Sequence, residues 1–568
     1  MGDPDTVLLP SRIADLVHAH FDGLPKRSKP VVRDDGTAEW IPMTGIVLVK
    51  GENTPSETLT CVAVTTGAKC LPASQIPNCN GLVLHDWHAE ILAIRAFNFW
   101  LLSECHAFFE REKGLFGDRN SSENGNEDST SPVLDTDESL SPYIRRRQKL
   151  KSVADTVTPA LEIQPDVNIY MYCTCAPCGD ASMELLMAEQ DDPTPWTIPT
   201  SDPNAPATAE QTSTLSGRGH FSRLGVVRRK PARADAESTK SKSCSDKLAL
   251  RQVSSLPSHG ASLFVATTEN AYIKGLVMPE EEISKVGVER CFGKEGRMKP
   301  LCGQRWPVSD DGDSGDKALD GGQGGCHDQS DSEHRFRYEY HPFKVLPIPN
   351  AQLASLWQFR KPKASDPTSE EGTTSQSKKR KPGTISAVWV RAPTATTEHT
   401  NQIPTDNGTK NLPILHGSKT GLFESIVNGV RQGHKASAPG LRGASALSRA
   451  RMHELWARTF SAGSDKESTR FYGVSGSSTN EDETLGIWDT GARSVKNALT
   501  YREFKNGQSD AVARRRAIQA ARDVLGDWVS NEGDKDWGWD RSAGGLVDAR
   551  GLPIGDPKGA KRKREKKG

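Results

Sequence analysis

The sequence predicts an α/β domain, and three observations carry that prediction. The first is Gly81-Leu82-Val83-Leu84, a short apolar run leading to His88. After it, Ile91, Leu92, Ala93, Phe97, Trp100 and Leu101 are apolar at largely helical spacing. This places His88 and Glu90 at a strand-to-helix junction, on the first turn of a buried helix. The second is Val167 to Tyr172, a buried strand that ends in Cys173-Thr174-Cys175-Ala176-Pro177-Cys178-Gly179-Asp180 and gives way to a helix through Met183, Leu185, Leu186 and Met187. The third is a set of β-branched runs, 46–49, 59–64 and 385–390, that read as further sheet strands. Residues 11–21 read as an amphipathic helix, with Ile13, Leu16, Val17 and Phe21 on one face.

The two junctions carry chemistry as well as structure. An imidazole that holds a metal, with a carboxylate two residues on, suits an activated water: His88 binds and Glu90 handles the proton. H-x-E alone is weak, since it occurs by chance in many chains. A later Pro-Cys at a strand-to-helix turn strengthens it, because together they mark zinc-dependent nucleobase deaminases. The usual P-C-x-x-C is incomplete, because Ala181 stands three residues after Cys178. The second thiolate must therefore come from elsewhere. Cys175 makes C-x-x-C with Cys178 but precedes the proline; Cys244, in Ser243-Cys244-Ser245-Asp246-Lys247, is the more plausible donor.

In this order, His88-Ala89-Glu90, Pro177-Cys178-Gly179-Asp180 and Ser243-Cys244-Ser245-Asp246-Lys247 resemble the adenosine-to-inosine RNA deaminases, and within them the eukaryotic tRNA-specific branch of fungal type. The resemblance runs from about Ser11 to Trp528, with Thr66-Gly67-Ala68-Lys69 upstream where the family usually has T-G-T-K. It implies a three-layer cytidine-deaminase-like core, a mixed sheet with helices on both faces, extended by a C-terminal helical region enclosing a polyanion. It also implies zinc held by His88, Cys178 and Cys244, with Glu90 as the proton-transferring group. The substrate it implies is an adenosine in tRNA, the one 3′ of the anticodon (position 37) in alanine tRNA.

Inositol hexakisphosphate is the implied polyanion, with Asp86, Lys247, Arg449, Arg451, Tyr501, Lys505, Arg515, Trp528 and Lys535 in the matching stretches. Leu250 and Met452 stand where duplex-editing relatives have basic residues, and His85 where the family more often has an amide. The three arginines Arg514-Arg515-Arg516 cannot all face inwards. Other readings are an editor of long double-stranded RNA, a cytidine deaminase, or a zinc-bearing RNA-binding protein without activity. The first usually carries separate RNA-binding modules, yet only 87 residues precede His88. The second lacks P-C-x-x-C, and the third has no use for Glu90.

Composition bounds the rest. Of 568 residues, 35% are hydrophobic, and 73 basic residues balance 73 acidic ones, so net charge announces no nucleic-acid partner. Local clustering does: residues 216–233 hold Arg218, Arg223, Arg228, Arg229, Lys230 and Arg233 beside His220 and Phe221. Arg228, Arg229 and Lys230, with Lys69 in the earlier turn, are the candidates for RNA phosphates; a solvated loop is the bland alternative. Eleven cysteines, an odd number largely within apolar runs, suggest a reducing compartment. Cys105, Cys291, Cys302 and Cys326 are expected as small buried hydrophobes. No apolar run is long enough for a membrane span and no signal peptide is evident, so the expectation is an intracellular protein of nucleus or cytoplasm, with no membrane and no obligate protein partner. A single deaminase domain is expected over 1–555, interrupted by disordered inserts near 113–160, 191–215, 304–334, 361–383 and 461–482. A basic tail follows over 556–568, beyond Lys378-Lys379-Arg380-Lys381, a similar charge run.

Overall fold

The computed structural model describes residues 8–33, 38–117, 140–147, 159–189, 215–216, 223–230, 237–307, 337–361, 381–394, 420–463, 500–506, 511–540, 545–548, 550 and 552–554. Most of the expected inserts, the basic tail, and Arg218, His220, Phe221 and Arg233 lie outside these residues.

One mixed sheet organises the chain. Its strands are β1 (Met43–Lys50), β2 (Thr58–Thr66), β3 (Val167–Cys173), β4 (Ile273–Pro279), β5 (Lys344–Ile348), β6 (Ser386–Arg391), β7 (Gly421–Val427) and β8 (Val430–Arg431). Their spatial order is β5-β4-β3-β1-β2-β6-β7-β8. The β3–β4 and β4–β5 pairs are parallel, and the remaining neighbours are antiparallel. Residue alternation along β1 explains the layering. Ile46 and Leu48 enter one core with helix α2 (Ala89–Gly117), whereas Val47 and Val49 enter a second core with helix α1 (Leu9–Asp22). Helices therefore cover both faces.

Helix α2 lies across β1, β2 and β6. Leu92, Phe97, Trp100, Leu101 and Phe108 are all essentially solvent-free, so the helix is apolar nearly all round, as a central helix must be. Its outer side meets helix α7 (Arg449–Gly463). Between them in sequence come α3 (Met183–Ala188), α4 (Cys244–Ser254), α5 (Lys285–Phe292) and α6 (Asn350–Leu356), and after them α8 (Tyr501–Asn506) and α9 (Val512–Leu525). Helix α9 packs on α4, which brings the C-terminal region onto the element that carries Cys244. Among the described residues no helix is long and apolar enough to cross a membrane.

Three expectations need correction. The apolar run 81–84 is a buried loop rather than a strand: Leu84 N–H donates to the Gly429 carbonyl at 2.8 Å, and Leu82 N–H to Cys79. Burial beneath the β7–β8 hairpin, not sheet pairing, is why the run is apolar. The region 113–160 is not wholly irregular, because α2 reaches Gly117 and Ile144–Arg146 pairs with Leu161–Ile163. Cys302 is exposed, while Cys105 and Cys291 are buried as expected and Cys326 lies outside the described residues.

Gly45, at the centre of β1, lets α1 approach. A Cβ there would sit 2.5 Å from a Val17 methyl and 2.6 Å from the other. Gly45→Val is therefore expected to overpack this seam and cost roughly 1–3 kcal/mol. Thermal unfolding checks it, as a lowered melting temperature relative to wild type.

Candidate metal centre and its cavity

The turn after β2 is stitched to the loop before α2. Trp87 N–H donates to the Lys69 carbonyl (3.0 Å), Ala89 N–H to Gly67 (2.9 Å), and Leu71 N–H to His85 (2.9 Å). This ladder carries His88 to the mouth of α2, where its carbonyl accepts from Ile91 and Leu92. Its own N–H donates to Asp86 Oδ1 at 3.0 Å.

The second junction arrives from β3. Cys178 turns back at Gly179, whose φ of +109° and closeness to Ser243 exclude a side chain: a Cβ would lie 2.2 Å from Ser243 Oγ. Ser243 caps α4 by accepting from Asp246 N–H (3.1 Å), so Cys244 is the first residue of that helix. Cys244 N–H points at Cys178 Sγ (3.4 Å), and Ser245 N–H donates to the Cys178 carbonyl (3.0 Å). His88 Nδ1 lies 3.8 Å from Cys178 Sγ. One ligand atom from each of His88, Cys178 and Cys244 falls within 4.8 Å of the others, so one imidazole and two sulfurs converge. That donor set suits zinc, with a position left open for water or substrate. Cys175, the alternative thiol, is not part of the group.

Glu90 is 3% exposed, and its Oε2 has no hydrogen-bond partner among the described residues. Burial, then the negative Cys178 sulfur, pushes its carboxyl above the usual range. The hydrogen bond from Cys244, aided by the charges of Lys230 and His88, holds Cys178 far below its usual value.

Lys230 is placed differently from the expectation of a phosphate contact. It is 4% exposed, with Nζ 2.9 Å from Asp86 Oδ2 and 3.2 Å from Cys244 Sγ. Burial alone would lower its pKa, but Asp86 and the two cysteine sulfurs outweigh this and raise it. Arg228 is also buried; its N–H donates to Asp246 Oδ2 and its guanidinium to the Arg223 carbonyl. Through these contacts the segment braces the candidate metal ligands from Asp86 and Asp246. Lys69, Arg228, Arg229 and Lys230 all border the cavity. Asp180 is a brace as well, accepting from Arg290 (2.8 Å) and Gly225 N–H (2.8 Å).

Asp86 also accepts from Lys247 and Ser241. Beyond Lys247 the C-terminal residues gather, though not all as expected. Burial, then Arg514, Arg251 and Arg449, pushes the Lys505 ammonium well below its usual value, with Lys535 contributing too. Burial, then Arg514 and Arg95, lowers Arg251 to about 9. Trp528 lies 5.2 Å from the Lys242 ammonium and Tyr501 stacks on Trp537. Arg451 turns away to Glu454 (2.7 Å) and the Leu441 carbonyl. Of the three consecutive arginines, Arg514 is buried, Arg515 is half-buried with one guanidinium nitrogen shielded from solvent, and Arg516 is exposed. Arg95, Arg251 and Arg514 were not singled out by sequence. Their only signal is helical phase against α2, α4 and α9. His85 lies outside the His88 group, paired with Asp534 (2.9 Å) and Asn531 (3.3 Å).

A cavity of about 1070 Å³ opens over His88, Glu90 and Cys178. Residues 63–131 and 139–301, which include all three metal-ligating candidates and Glu90, match the adenosine-deaminase (editase) domain. The chain is 34% identical over 290 residues to tRNA-specific adenosine deaminase 1 of Schizosaccharomyces pombe, covering 51% of this chain and 62% of that protein. It is 28% identical over 291 residues to the protein of the same name from Saccharomyces cerevisiae, covering 51% and 63%. The Drosophila melanogaster protein is 28% identical over 286 residues, covering 50% and 58%. The chain thus spans less than two thirds of the length of these relatives. The match to the adenosine-deaminase (editase) domain thus extends across the convergent imidazole, thiols and buried carboxylate.

Proposed function

We propose that the protein is a zinc-dependent hydrolase converting adenosine to inosine in tRNA, at the adenosine 3′ of the anticodon (position 37) of alanine tRNA. The observation that carries this reading is the pairing of a three-ligand centre with a buried carboxylate having a bare oxygen, both on one cavity wall. His88, Cys178 and Cys244 would hold the zinc. When bound, zinc supplies Lewis acidity that makes water a nucleophile near neutral pH.

The chain's own residues do the rest. Glu90 takes the proton of the attacking water and passes it to the departing amine at adenine C6, so that ammonia leaves and inosine remains. Its raised affinity for a proton suits a group that must both accept and donate. An anticodon-loop adenosine is already unpaired, so extruding it into the cavity costs less than from a duplex. Lys69, Arg229 and Lys435 are among the cations on the cavity wall that would meet flanking phosphates. The names of the relatives support tRNA over duplex RNA as substrate.

Inositol hexakisphosphate is proposed as a structural ligand of the C-terminal cluster. Arg514 Nε and Arg522 Nε are buried without hydrogen-bond partners among the described residues, and the neighbouring cations repel one another. Buried like charges are very unfavourable unless an anion compensates them. Lys247, Arg449, Tyr501, Lys505, Arg514, Trp528 and Lys535 would hold it, and it would supply negative charge and order to the region.

Two outcomes follow. Glu90→Gln is expected to keep zinc and fold but lose about 10²- to 10⁴-fold in inosine formation on total tRNA, read by sequencing. Near wild-type inosine with stoichiometric zinc would remove Glu90 from the mechanism, and inosine in long duplex RNA but not in tRNA would overturn the substrate. Acid-denatured protein is expected to release a phosphorylated polyanion, measured as phosphorus by elemental analysis. Active, soluble, zinc-containing protein without phosphorus would contradict that ligand.

A further inference from the structure

The cavity is larger than one nucleoside requires. Its 1070 Å³ exceeds the roughly 300–1,000 Å³ typical of pockets that enclose a drug-sized ligand. Its wall carries three tryptophans, Trp40, Trp87 and Trp357. Trp87 and Trp357 are packed away, at 3% and 2% exposure. Trp40 is only partly buried, so its indole meets the cavity with apolar surface still open to water.

The backbone holds that indole in place. Trp40 N–H donates to the Lys381 carbonyl at 3.0 Å, and its carbonyl accepts from Gly383 N–H at 2.8 Å. The next residue, Ile41, donates to the Phe359 carbonyl at 3.0 Å. Two separate chain segments therefore fix the main chain that carries this indole, just before β1. The same cavity is bordered by Lys69 and Lys435, cations from two separate segments, while Lys361 beside them is paired with Glu189 at 2.6 Å. A rigid, part-open aromatic face among dispersed cations is the combination that single-stranded nucleic acid uses, with bases on rings and phosphates on ammonium groups.

We infer that Trp40 is a stacking platform for the unpaired base next to the target adenosine, and so a residue that fixes how the RNA strand lies in the site. This rests on the tRNA reading, because an anticodon loop offers an unpaired neighbour whereas a duplex does not. Stacking is tolerant of base identity, since every base has a π-face. Trp40 thus selects for an unstacked neighbour rather than for a sequence.

The test is a binding cycle with an anticodon stem-loop, intact or carrying an abasic residue at either neighbour of the target. Trp40→Ala is expected to raise the dissociation constant for the intact stem-loop about tenfold. With one of the two abasic stem-loops, wild type weakens by a similar factor and Trp40→Ala adds nothing further. Trp40→Phe keeps most of the affinity. Trp40→Leu, which retains apolar bulk without the π-face, behaves as alanine and serves if the alanine variant is unstable. Equal weakening of all three RNAs by Trp40→Ala, or no weakening of the intact one, overturns the inference. Inosine formation is scored separately; its absence from intact tRNA overturns the proposed substrate without altering the binding cycle.

Discussion

Asp86 is the carboxylate on which the rest of the site depends. A fully buried carboxylate is costly unless it is paired and hydrogen-bonded. Asp86 meets that demand by accepting from the His88 N–H, Lys230, Lys247 and Ser241. Three of these partners have a second task. The His88 N–H belongs to a metal ligand, Lys230 touches the Cys244 sulfur, and Lys247 sits on the helix that Cys244 begins. One anion therefore joins the two halves of the metal centre, which are 156 residues apart in sequence from His88 to Cys244. The two ammonium groups in turn hold its pKa well below the usual carboxylate range, against the pull of burial.

The same interaction links the centre to the C-terminal region. Lys242, two residues before Cys244, donates to the Val529 carbonyl and lies over Trp528, and Arg522 of α9 faces the other contact of that ring. The cations around Lys505 then lie one layer further on. Charge alternates from the cysteine sulfurs through Lys230 and Asp86 to Lys247, and there the alternation stops at a cluster of cations. Burial first, and then the neighbouring cations, lower Lys505 and Arg251 there. The C-terminal helices are in this sense part of the site although none of their residues lies on the cavity wall.

Much of this was readable from the chain alone. Strands 46–49, 59–64, 167–172 and 385–390 were apparent because β-branched runs bounded by turns leave few alternatives. His88, Glu90, Cys178 and Cys244 stood out through motif order and the resemblance it carries, and the fold brings the imidazole and the two sulfurs together. Burial was not readable. Lys230 reads as one more cation in a basic loop, and only the tertiary contact with Asp86 makes it a brace. Arg514 and Arg515 differ by one position and about 100° around a helix, a distinction that composition cannot draw. The run 81–84 looks like a strand because burial under a hairpin and pairing in a sheet both demand apolar residues.

The most direct measurement of the central claim is X-ray absorption at the zinc edge of the purified protein. The account predicts one zinc per chain with two sulfur neighbours at ~2.3 Å and nitrogen or oxygen neighbours at ~2.0–2.1 Å. In a Cys178→Ser variant that still binds zinc, one sulfur should be lost. A shell of three or four sulfurs, or of none, would contradict a centre built from His88, Cys178 and Cys244.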